Sequence, residues 1–447
     1  MTMHAASASE AIRTLHERLD ALRPLRRTAV TDFPSQVREV VVIASSSRGG
    51  SSMLAETLRR SRQLLHFQAE INPFLRLAGL GHPDSGTGSD VLDAEHLAAL
   101  DTHARDMLAG ELARDAGTAA DVFDEEQFCA DMAWRLTVQW PELPLEPLAL
   151  AEAVRDAVRS HTGPPDPCSA LGGALSLVAV VRELVRQGLP VSPWYYDLPK
   201  GALHGQAPPA TVRVAPGDFL VEEPPFVVAR AWRPADAAEL RTKPLVVKTP
   251  SNAYRLGFLR ALFPKARFRV MHLTRNPAAA VNGLYDGWRH HGFHAHRMDT
   301  PLDISGYTDQ HEENRWWWKF DLPPTWEAYT GTRLVDVCAF QWRRAHEAVL
   351  DHLAATPAET MTVRFEDLIS DRDSRITSFE KLSEWLGIDL EGDFRQAVYE
   401  GIQPVVATAR PRARRWEERS TLIEQAIDRR TADLAARLGY EDRTQWI

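Results

Sequence analysis

A strand that runs into a loop of small residues and then a helix constrains this chain more than any other feature. The strand is the apolar run 40–44 (Val-Val-Val-Ile-Ala), the loop is 45–52 (SSSRGGSS), and helical spacing begins at Met53. A continuous β-branched run of this kind is typical of a parallel strand covered on both faces. The loop and the start of the helix direct backbone N–H groups and the positive helix end at one point, which predicts an anion-binding turn.

Strands and helices alternate elsewhere in the chain in the same way. A short strand is predicted at 64–67, a further strand at 245–247, a helix at 253–262 and another strand at 268–273. Alternation of this type predicts an α/β fold with a parallel sheet flanked by helices.

The remaining segments divide the chain into an N-terminal extension, a core and an insertion. Ile12, Leu15, Leu19 and Leu22 have helical spacing, which predicts a helical extension over 1–37. The core is expected at 38–79 and 241–447, with a mainly helical tail after an irregular, aromatic stretch at 300–334. Glycine-, serine- and proline-rich breaks separate Ala/Leu-rich patterns over 80–240, and we predict a large, mostly helical insertion there. Within it, the apolar run 171–181 is too short to span a membrane and is interpreted as a buried helix.

Composition excludes several classes of function. Of 447 residues, 44% are hydrophobic and 25% charged, which is ordinary for a globular protein. Asp and Glu number 61 against 52 Lys and Arg, so the overall field opposes nucleic acid and other polyanions, and a bound anion needs a local site. Three scattered cysteines (Cys129, Cys168 and Cys338) suit packing in a reducing compartment. The N-terminus lacks the apolar stretch of a signal peptide, so we expect a cytoplasmic protein without a membrane span.

The residue types of the loop suit capture of a phosphate or sulfate. Gly49 and Gly50 permit close backbone approach, Ser51 and Ser52 add hydroxyl donors, and Arg48 adds a planar charged fork. A Walker loop requires GxxxxGK[ST], and the lysine is missing here, which weakens an NTPase interpretation. A serine-rich turn without a ligand remains the alternative at this point.

Other motifs follow the loop in a specific order. They are KTPSN at 248–252, LFPKARF at 262–268, HLTRNP at 272–277, VRFEDL at 363–368, LGI at 386–388, Arg415-Trp416 and LGY at 438–440. In these motifs the chain resembles the PAPS-dependent sulfotransferases, including the bacterial, tyrosylprotein-sulfotransferase-like members. That family has an RxGTT-type phosphosulfate loop, a KxP strand end, an FPxAxF turn and a strand that ends in R-[DN]-P. The insertion and the aromatic stretch lie outside the resemblance.

The resemblance implies a P-loop-like α/β fold that binds 3′-phosphoadenosine 5′-phosphosulfate (PAPS) and releases PAP. Arg48, Gly49, Gly50, Ser51 and Ser52 match the loop around the 5′-phosphosulfate, and Arg275 matches the arginine on the 3′-phosphate. The family usually has a serine eight positions after that arginine. This chain has Gly283 there, so the contact is missing or supplied by Asn282.

The basic run Arg410, Arg412, Arg414 and Arg415 is a further candidate for the 3′-phosphate. Arg414 and Arg415 are the preferred members of the run. A solvated loop is the alternative interpretation.

The catalytic candidates are Glu70, Lys248 and Arg48. Lys248 ends a strand, where open α/β sheets place their ligands, and it matches the family lysine that contacts the phosphosulfate. Glu70 follows the second strand and resembles the catalytic glutamate of the tyrosylprotein and related bacterial enzymes. The cytosolic small-molecule enzymes instead use a histidine two positions after the lysine, where this chain has Pro250. His66 and His272 are held in reserve as bases, although core histidines are the commoner interpretation.

The acceptor is less legible in the sequence. Trp288, Phe293, Trp316, Trp317 and Trp318 predict either an apolar, aromatic-lined acceptor pocket or ordinary core packing. His290, His291, His294 and His296 have the residue types of metal ligands but lack firm spacing, so we predict an exposed loop and no metal.

These observations predict transfer of a sulfuryl group from PAPS to a hydroxyl or amine of a small, apolar or aromatic acceptor, with Glu70 as general base. A place in bacterial secondary metabolism is expected with it. The alternatives are a P-loop-type kinase or NTPase, and a catalytically silent PAP-binding scaffold.

Overall fold

The computed structural model describes residues 3–139, 146–160, 186, 231–290, 293–401, 408–443 and 446. Within these residues a seven-stranded sheet has the order β4-β3-β2-β5-β1-β6-β9. A separate pair, β7 and β8, is antiparallel. The strands are β1 (Glu39–Ala44), β2 (Leu65–Phe67), β3 (Ala116–Ala119), β4 (Trp232–Pro234), β5 (Leu245–Lys248), β6 (Arg267–Thr274), β7 (Ala295–Arg297), β8 (Trp317–Lys319) and β9 (Glu359–Arg364).

The centre of the sheet is parallel, as predicted. β1 pairs in parallel with β5 on one side and with β6 on the other, and β2 and β9 extend these pairs outward. After β1 the chain crosses to β2, which lies beyond β5 in the sheet. The loop that follows β1 therefore lies between the ends of β5 and β6, two strands that come later in the sequence. Open α/β sheets bind ligands at such a point, at the carboxyl ends of the strands.

Helices cover both faces of the sheet, which explains the apolar character of β1. Val40 and Val42 pack into the core on one face, whereas Val41 and Ile43 pack into a second core on the other. The described α-helices are Met3–Leu22, Phe33–Gln36, Ser51–Leu58, Asn72–Leu77, Ala94–Ala99, Thr102–Asp115, Glu125–Gln139, Pro147–Ser160, Ala237–Thr242, Leu256–Leu262, Pro277–Trp288, Leu334–Ala355, Phe365–Ile369, Arg372–Leu386, Gly392–Glu400, Ser420–Ala426 and Arg429–Arg437.

The segment over 80–240 contributes strands as well as helices. β3 pairs antiparallel with β2, and β4 pairs antiparallel with β3, so both extend the central sheet. β3 was not predicted, because its Ala-Gly-Thr-Ala residues lack a β-branched or aromatic pattern. The run 171–181 and Cys168 lie outside the described residues.

The tail also contains a strand that was interpreted only as a motif. The last two residues of β9, Val363 and Arg364, are the first two of the VRFEDL motif. β9 forms the edge of the sheet beside β6. Its residues are largely exposed before Val363, so the apolar signal that marked the central strands is absent. A parallel edge strand that is half solvated resembles a loop in sequence.

The N-terminal helix packs on the main body of the protein. Leu15, Leu19 and Leu22 are buried in the core that contains one face of β1. Just beyond this helix, Arg26 forms buried ion pairs with Glu111 at 2.5 Å and with Asp131 at 3.0 Å. Among the described residues, no helix is both long and apolar enough to cross a membrane.

Candidate functional site

The loop after β1 has a backbone that only particular residues can adopt. Gly50 precedes the helix Ser51–Leu58 with a φ of 100°, in the left-handed region that favours glycine. A Cβ at this position would overlap the ring of Phe365. Arg48 is also left-handed, with a φ of 60°. The tight turn is therefore built from a glycine seated on an aromatic ring.

Two serines of this loop have buried hydroxyl donors that the described residues leave unsatisfied. Ser45 and Ser46 are buried, and their hydroxyl groups have no hydrogen-bond partner among the described residues. The first N–H groups of a helix also lack partners within the helix, and here that helix starts at Ser51. Buried polar groups without partners are costly, and an anion in the loop would satisfy them.

Arg275 joins the loop from the neighbouring strand end. Its Nη1 donates to the carbonyl oxygen of Arg48 at 3.0 Å, and its guanidinium carbon lies 4.8 Å from the centre of the Phe365 ring. The Nε of Arg275 is buried and has no hydrogen-bond partner within the ranges that the structure describes. Burial lowers the pKa of Arg275 from its ordinary value, and the charge of Arg415 lowers it further while Glu366 opposes the shift. The cationic form would be stabilised by an anion at this point.

The Arg-Asn-Pro turn is held by residues from the other motifs. Asn276 donates from its backbone N–H and its side chain to Oε1 of Glu366, at 2.9 and 2.7 Å. Tyr440 donates to the other oxygen of Glu366 at 2.8 Å, and its hydroxyl is 3.1 Å from that of Thr274. The VRFEDL and LGY motifs therefore fix the strand end that carries Arg275.

A second group of arginines lies along the helix Pro277–Trp288. Arg415 forms an ion pair with Asp286 at 2.5 Å, and Arg419 pairs with the same carboxylate at 2.9 Å. Arg419 also donates to the side-chain oxygen of Asn282 at 2.6 Å. Asn282 is thus occupied in holding an arginine, and of the two arginines it is Arg415 whose charge acts on Arg275.

Other members of the basic run lie farther out. Arg414 is exposed and pairs with Glu417 at 2.6 Å, and Arg412 pairs with Glu418 at the surface. Arg410 is also exposed. In this structure Arg415 is the member of the run whose charge acts on Arg275.

Gly283 has a packing reason to be glycine. A Cβ at this position would lie 3.3 Å from the Cβ of Arg48, which is tighter than ordinary contact. The helix Pro277–Trp288 and the loop 45–52 therefore approach each other closely at Gly283, the position where the family that the motifs resemble usually has serine.

Glu70 and Lys248 meet at the same edge of the sheet, 178 positions apart in the chain. They form an ion pair in which both side chains are about nine-tenths buried. Lys248 is paired in register with Ile43, two residues before the loop begins. Thr249 follows Lys248, and its hydroxyl accepts from the backbone N–H of Ile71, next to Glu70, at 3.2 Å. The strand ends of β2, β5, β1 and β6 thus bring Glu70, Lys248, the loop and Arg275 into one row.

The reserve histidines are core residues. His66 and His272 are each 2% exposed, within β2 and β6. A nitrogen of His272 lies 2.9 Å from a nitrogen of His346, and burial lowers the pKa of His272 to about 4. A neutral, enclosed imidazole of this kind suits packing.

Most of the aromatic candidates pack in the core. Trp288 and Trp318 are fully buried, with ring centres 5.2 Å apart, and Trp317 is buried as well. Trp316 is half-buried and lies against Arg297. Phe293 differs from the others, because its ring centre is 5.1 Å from the guanidinium carbon of Arg48. The pocket interpretation is therefore wrong for Trp288 and Trp318, and Phe293 is the aromatic side chain at the loop.

The histidine cluster is not the exposed loop that was predicted. His296 lies in β7, is 2% exposed and has its Nε2 3.8 Å from a carboxylate oxygen of Asp90. The ring centres of His294 and His296 are 4.7 Å apart, and His291 lies outside the described residues. β7 is only three residues long, with His294 just before it, and a strand this short is not distinguishable from a loop in the sequence. Among the described side chains, no group of three or more candidate ligands could hold a metal ion.

Two residues of the site escaped the sequence analysis. Arg419 lies four positions after Arg415, a helical spacing that places both on one face and that could have signalled it. Asp321 accepts a hydrogen bond from the loop residue Ser47 at 2.6 Å, across 274 positions of sequence. It lies in the aromatic stretch, where no motif marks it.

The comparisons with known proteins give distant similarities. No family model and no curated protein matches this chain. Among solved structures, it is similar to the sulfotransferase domain of the Synechococcus PCC 7002 olefin synthase, at 14% identity over 90% of this chain and 95% of that chain, with a TM-score of 0.36. The sulfotransferase domain from the curacin biosynthetic pathway gives 12% identity, 90% and 98% coverage and a TM-score of 0.35. A sulfotransferase from Mycobacterium avium gives 13% identity, 98% and 84% coverage and a TM-score of 0.33.

All three are sulfotransferases, the class that the sequence motifs resemble.

Proposed function

We propose that this protein is a sulfotransferase that moves a sulfuryl group from PAPS to a hydroxyl or amine of a small acceptor. The observation that carries the proposal is the meeting of Glu70 and Lys248 beside the glycine- and serine-rich loop. An acid–base group, a movable cation and an anion cradle at one sheet edge are the parts that transfer of an anionic group requires.

The loop and the side chains beside it would form the binding site for PAPS, the sulfuryl donor. One anionic group of PAPS would be bound at each end of this donor site. Gly50, Ser51 and Ser52 would hold the 5′-phosphosulfate through backbone N–H and hydroxyl donors, with Arg48 beside them. Gly49, whose N–H donates to the Ser46 carbonyl at 3.1 Å, would serve by closing the turn. Arg275 would hold the 3′-phosphate together with Arg415. The buried hydroxyls of Ser45 and Ser46 and the Nε of Arg275, which no described residue satisfies, support this fit.

The ion pair suggests how the reaction is prepared. In the free protein Lys248 and Glu70 compensate each other's charge in a buried position. A bound phosphosulfate supplies an activated sulfuryl group and a good leaving phosphate. Its charge would draw the Lys248 ammonium towards the bridging oxygen and release the Glu70 carboxylate.

Glu70 then acts on the acceptor. It takes the proton of the acceptor hydroxyl or amine as the new bond to sulfur forms. The bond from sulfur to the bridging oxygen breaks, and its electron pair stays on the phosphate of PAP, where Lys248 stabilises the charge. The transfer consumes no oxidant or reductant, and Arg48 and Lys248 provide the positive charge that a metal would provide in a kinase.

The acceptor is proposed from one contact. Phe293 is partly exposed and stacks near Arg48, which supports an acceptor with an apolar or aromatic portion. Because Trp288 and Trp318 are enclosed in the core, fewer aromatic side chains support an aromatic-lined acceptor pocket than the sequence indicated. A role for this protein in bacterial secondary metabolism is part of the same proposal.

Transfer can be tested directly with radiolabelled PAPS and a small-molecule extract from the host. We expect label to move to an extractable product in the presence of the wild-type protein, and to stay in PAPS with Glu70→Gln. Labelled ATP incubated in parallel tests the kinase alternative. Transfer from ATP, with none from PAPS, would replace the proposal by phosphoryl transfer. PAP binding without any transfer would favour a silent scaffold.

A further inference from the structure

The loop 45–52, here called the anion loop, is hydrogen-bonded to a carboxylate from a distant segment of the chain. Ser47 donates its hydroxyl to Oδ1 of Asp321 at 2.6 Å, and Tyr254 donates its hydroxyl to Oδ2 at 2.9 Å. All three residues are buried. Asp321 therefore links the loop after β1 to the 3₁₀ helix Pro250–Tyr254, which follows Lys248.

Asp321 is itself held rigidly by its backbone. Its carbonyl oxygen accepts from the indole N–H of Trp318 at 3.0 Å and from the side-chain amide of Gln341 at 2.8 Å. Trp318 thus fixes the segment that carries Asp321, and Trp288 supports it indirectly, because its indole N–H donates to the Gln341 side chain at 2.9 Å. A side chain so fixed can impose a position on the loop that it contacts.

We propose that Asp321 is a positioning residue for the donor site. It fixes the position of the anion loop through Ser47, and it couples binding of an anion in that loop to uptake of a proton. This inference rests on the proposed function, because it takes the loop to hold the 5′-phosphate of PAP or PAPS. Asp321 acts through Ser47 and needs no contact with the donor.

The charges around Asp321 explain the coupling. Burial raises the pKa of Asp321 to about 6; the hydrogen bonds from Ser47 and Tyr254 oppose the shift, and Asp90 adds to it. Asp90 stays ionised, because Arg255 forms an ion pair with it at 2.9 Å. Arg344 is the cation of the helix Leu334–Ala355 whose charge acts on Tyr254.

A bound anion near Asp321 disfavours the ionised carboxylate and raises its pKa further. By linkage, the protonated form of Asp321 binds the anion more tightly. Affinity for PAP should therefore be higher below pH 6, where Asp321 is protonated, and should fall as the pH rises through that value. The phosphates of PAP also titrate in this range, so the comparison has to be made between variants on the same ligand.

The positioning role is tested by calorimetric titration of PAP and of 3′-AMP, which lacks the 5′-phosphate. Ser47→Ala should weaken PAP by about tenfold, the effect of losing one well-placed hydrogen bond, and should leave 3′-AMP unchanged. Tyr254→Phe is the matched control, because it removes a hydroxyl from the same carboxylate without touching the loop. It should lower the melting temperature as much as Ser47→Ala does, with a smaller effect on PAP.

The coupling is tested with Asp321→Asn and Asp321→Ala over pH 5 to 8. The asparagine keeps an oxygen that accepts from Ser47, and its NH2 group can donate to the Tyr254 hydroxyl in place of accepting from it. Because it cannot ionise, the pH dependence of its PAP affinity should be flatter than that of the wild type. It should retain the wild-type affinity near pH 5, whereas the alanine variant should lose it. If the alanine variant does not fold, Ser47→Ala and the asparagine variant still decide the question.

The outcomes separate this inference from the function on which it rests. A wild-type protein that fails to bind PAP at all would overturn the proposed function. A wild type that binds PAP, with Ser47→Ala equal to it and Asp321→Asn showing the same pH profile, would leave the function standing and remove Asp321 from it.

Discussion

The two ends of the donor site are built in different ways. At the loop end, five consecutive residues from Arg48 to Ser52 and the two serines before Ser47 surround one turn, and the buried hydroxyls of those two serines have no partner in the described part of the chain. At the arginine end, the cations come from distant segments and already have protein partners: Arg275 has the Arg48 carbonyl, and Arg415 and Arg419 share Asp286. A ligand gains new hydrogen bonds at the first end but has to compete for them at the second. Single substitutions should therefore differ in effect between the two ends.

The largest effect is expected next to the loop, at Glu70. Glu70→Gln keeps the shape and can still accept a hydrogen bond from Lys248, but it cannot take the acceptor proton. We expect kcat to fall by about 10²- to 10⁴-fold while PAP affinity changes little. Steady-state kinetics with the natural acceptor, with calorimetry on the same samples, measures both.

Glu359→Gln is a matched control for this substitution. Glu359 is a paired carboxylate of the same sheet, at the opposite end of β9, where it contacts Arg269 at 2.7 Å. It should leave kcat unchanged. A wild-type kcat for Glu70→Gln would place the base elsewhere, and His66 and His272 would be substituted next.

Arg275 joins the two ends, and its loss should be felt in binding. Its guanidinium would contact the 3′-phosphate and also holds the Arg48 carbonyl. Arg275→Ala should weaken PAP by about 1.5 to 3 kcal/mol, the worth of a hydrogen bond to a charged group. The affinity for adenosine 5′-phosphosulfate, which lacks the 3′-phosphate, should change less. Equal losses for both ligands would mean that Arg275 acts only on the loop.

A smaller effect is expected farther along the arginine end. Because Arg415 is already paired with Asp286, Arg415→Ala should weaken PAP by only about 0.5 to 1.5 kcal/mol. Arg414→Ala should have less effect still, since Arg414 is exposed and paired with Glu417. Competition binding with PAP ranks the two variants, and the reverse order would transfer the phosphate contact to Arg414.

Removal of metal ions should have the smallest effect. Arg48 and Lys248 take the charge-stabilising role, so we expect full transfer activity in EDTA. Activity that is lost on chelation and restored by Mg²⁺ or Zn²⁺ would contradict this and would renew interest in the kinase interpretation or the histidine cluster.

The same comparison explains what the sequence could predict. The Val40–Ala44 run and the loop after it are contiguous, so their pattern is visible in one stretch of chain, and the structure has β1 over Glu39–Ala44. Lys248 and Glu70 were predicted to reach one sheet edge because parallel strands end together, and the structure pairs them there. Their roles in catalysis stay predictions.

Features that depend on tertiary contacts were not visible. β3 has one β-branched residue, Thr118, among Ala and Gly, and it is held in the sheet by pairing with β2 on one side and β4 on the other. Asp321 and Arg419 act through partners 274 and 137 positions away, at Ser47 and Asn282. The burial of Trp288 and Trp318 is likewise set by packing, and an aromatic-rich sequence suits a pocket and a core equally well.

Binding of PAP is the measurement that tests the central claim most directly. The wild-type protein is titrated with PAP, ATP and GTP by calorimetry, and its melting temperature is followed with the same ligands. The account predicts binding of PAP in preference to ATP and GTP, with a rise in melting temperature that grows with PAP concentration, because a ligand of the folded state stabilises it. Preferential binding of ATP or GTP, or no binding of PAP, would contradict it.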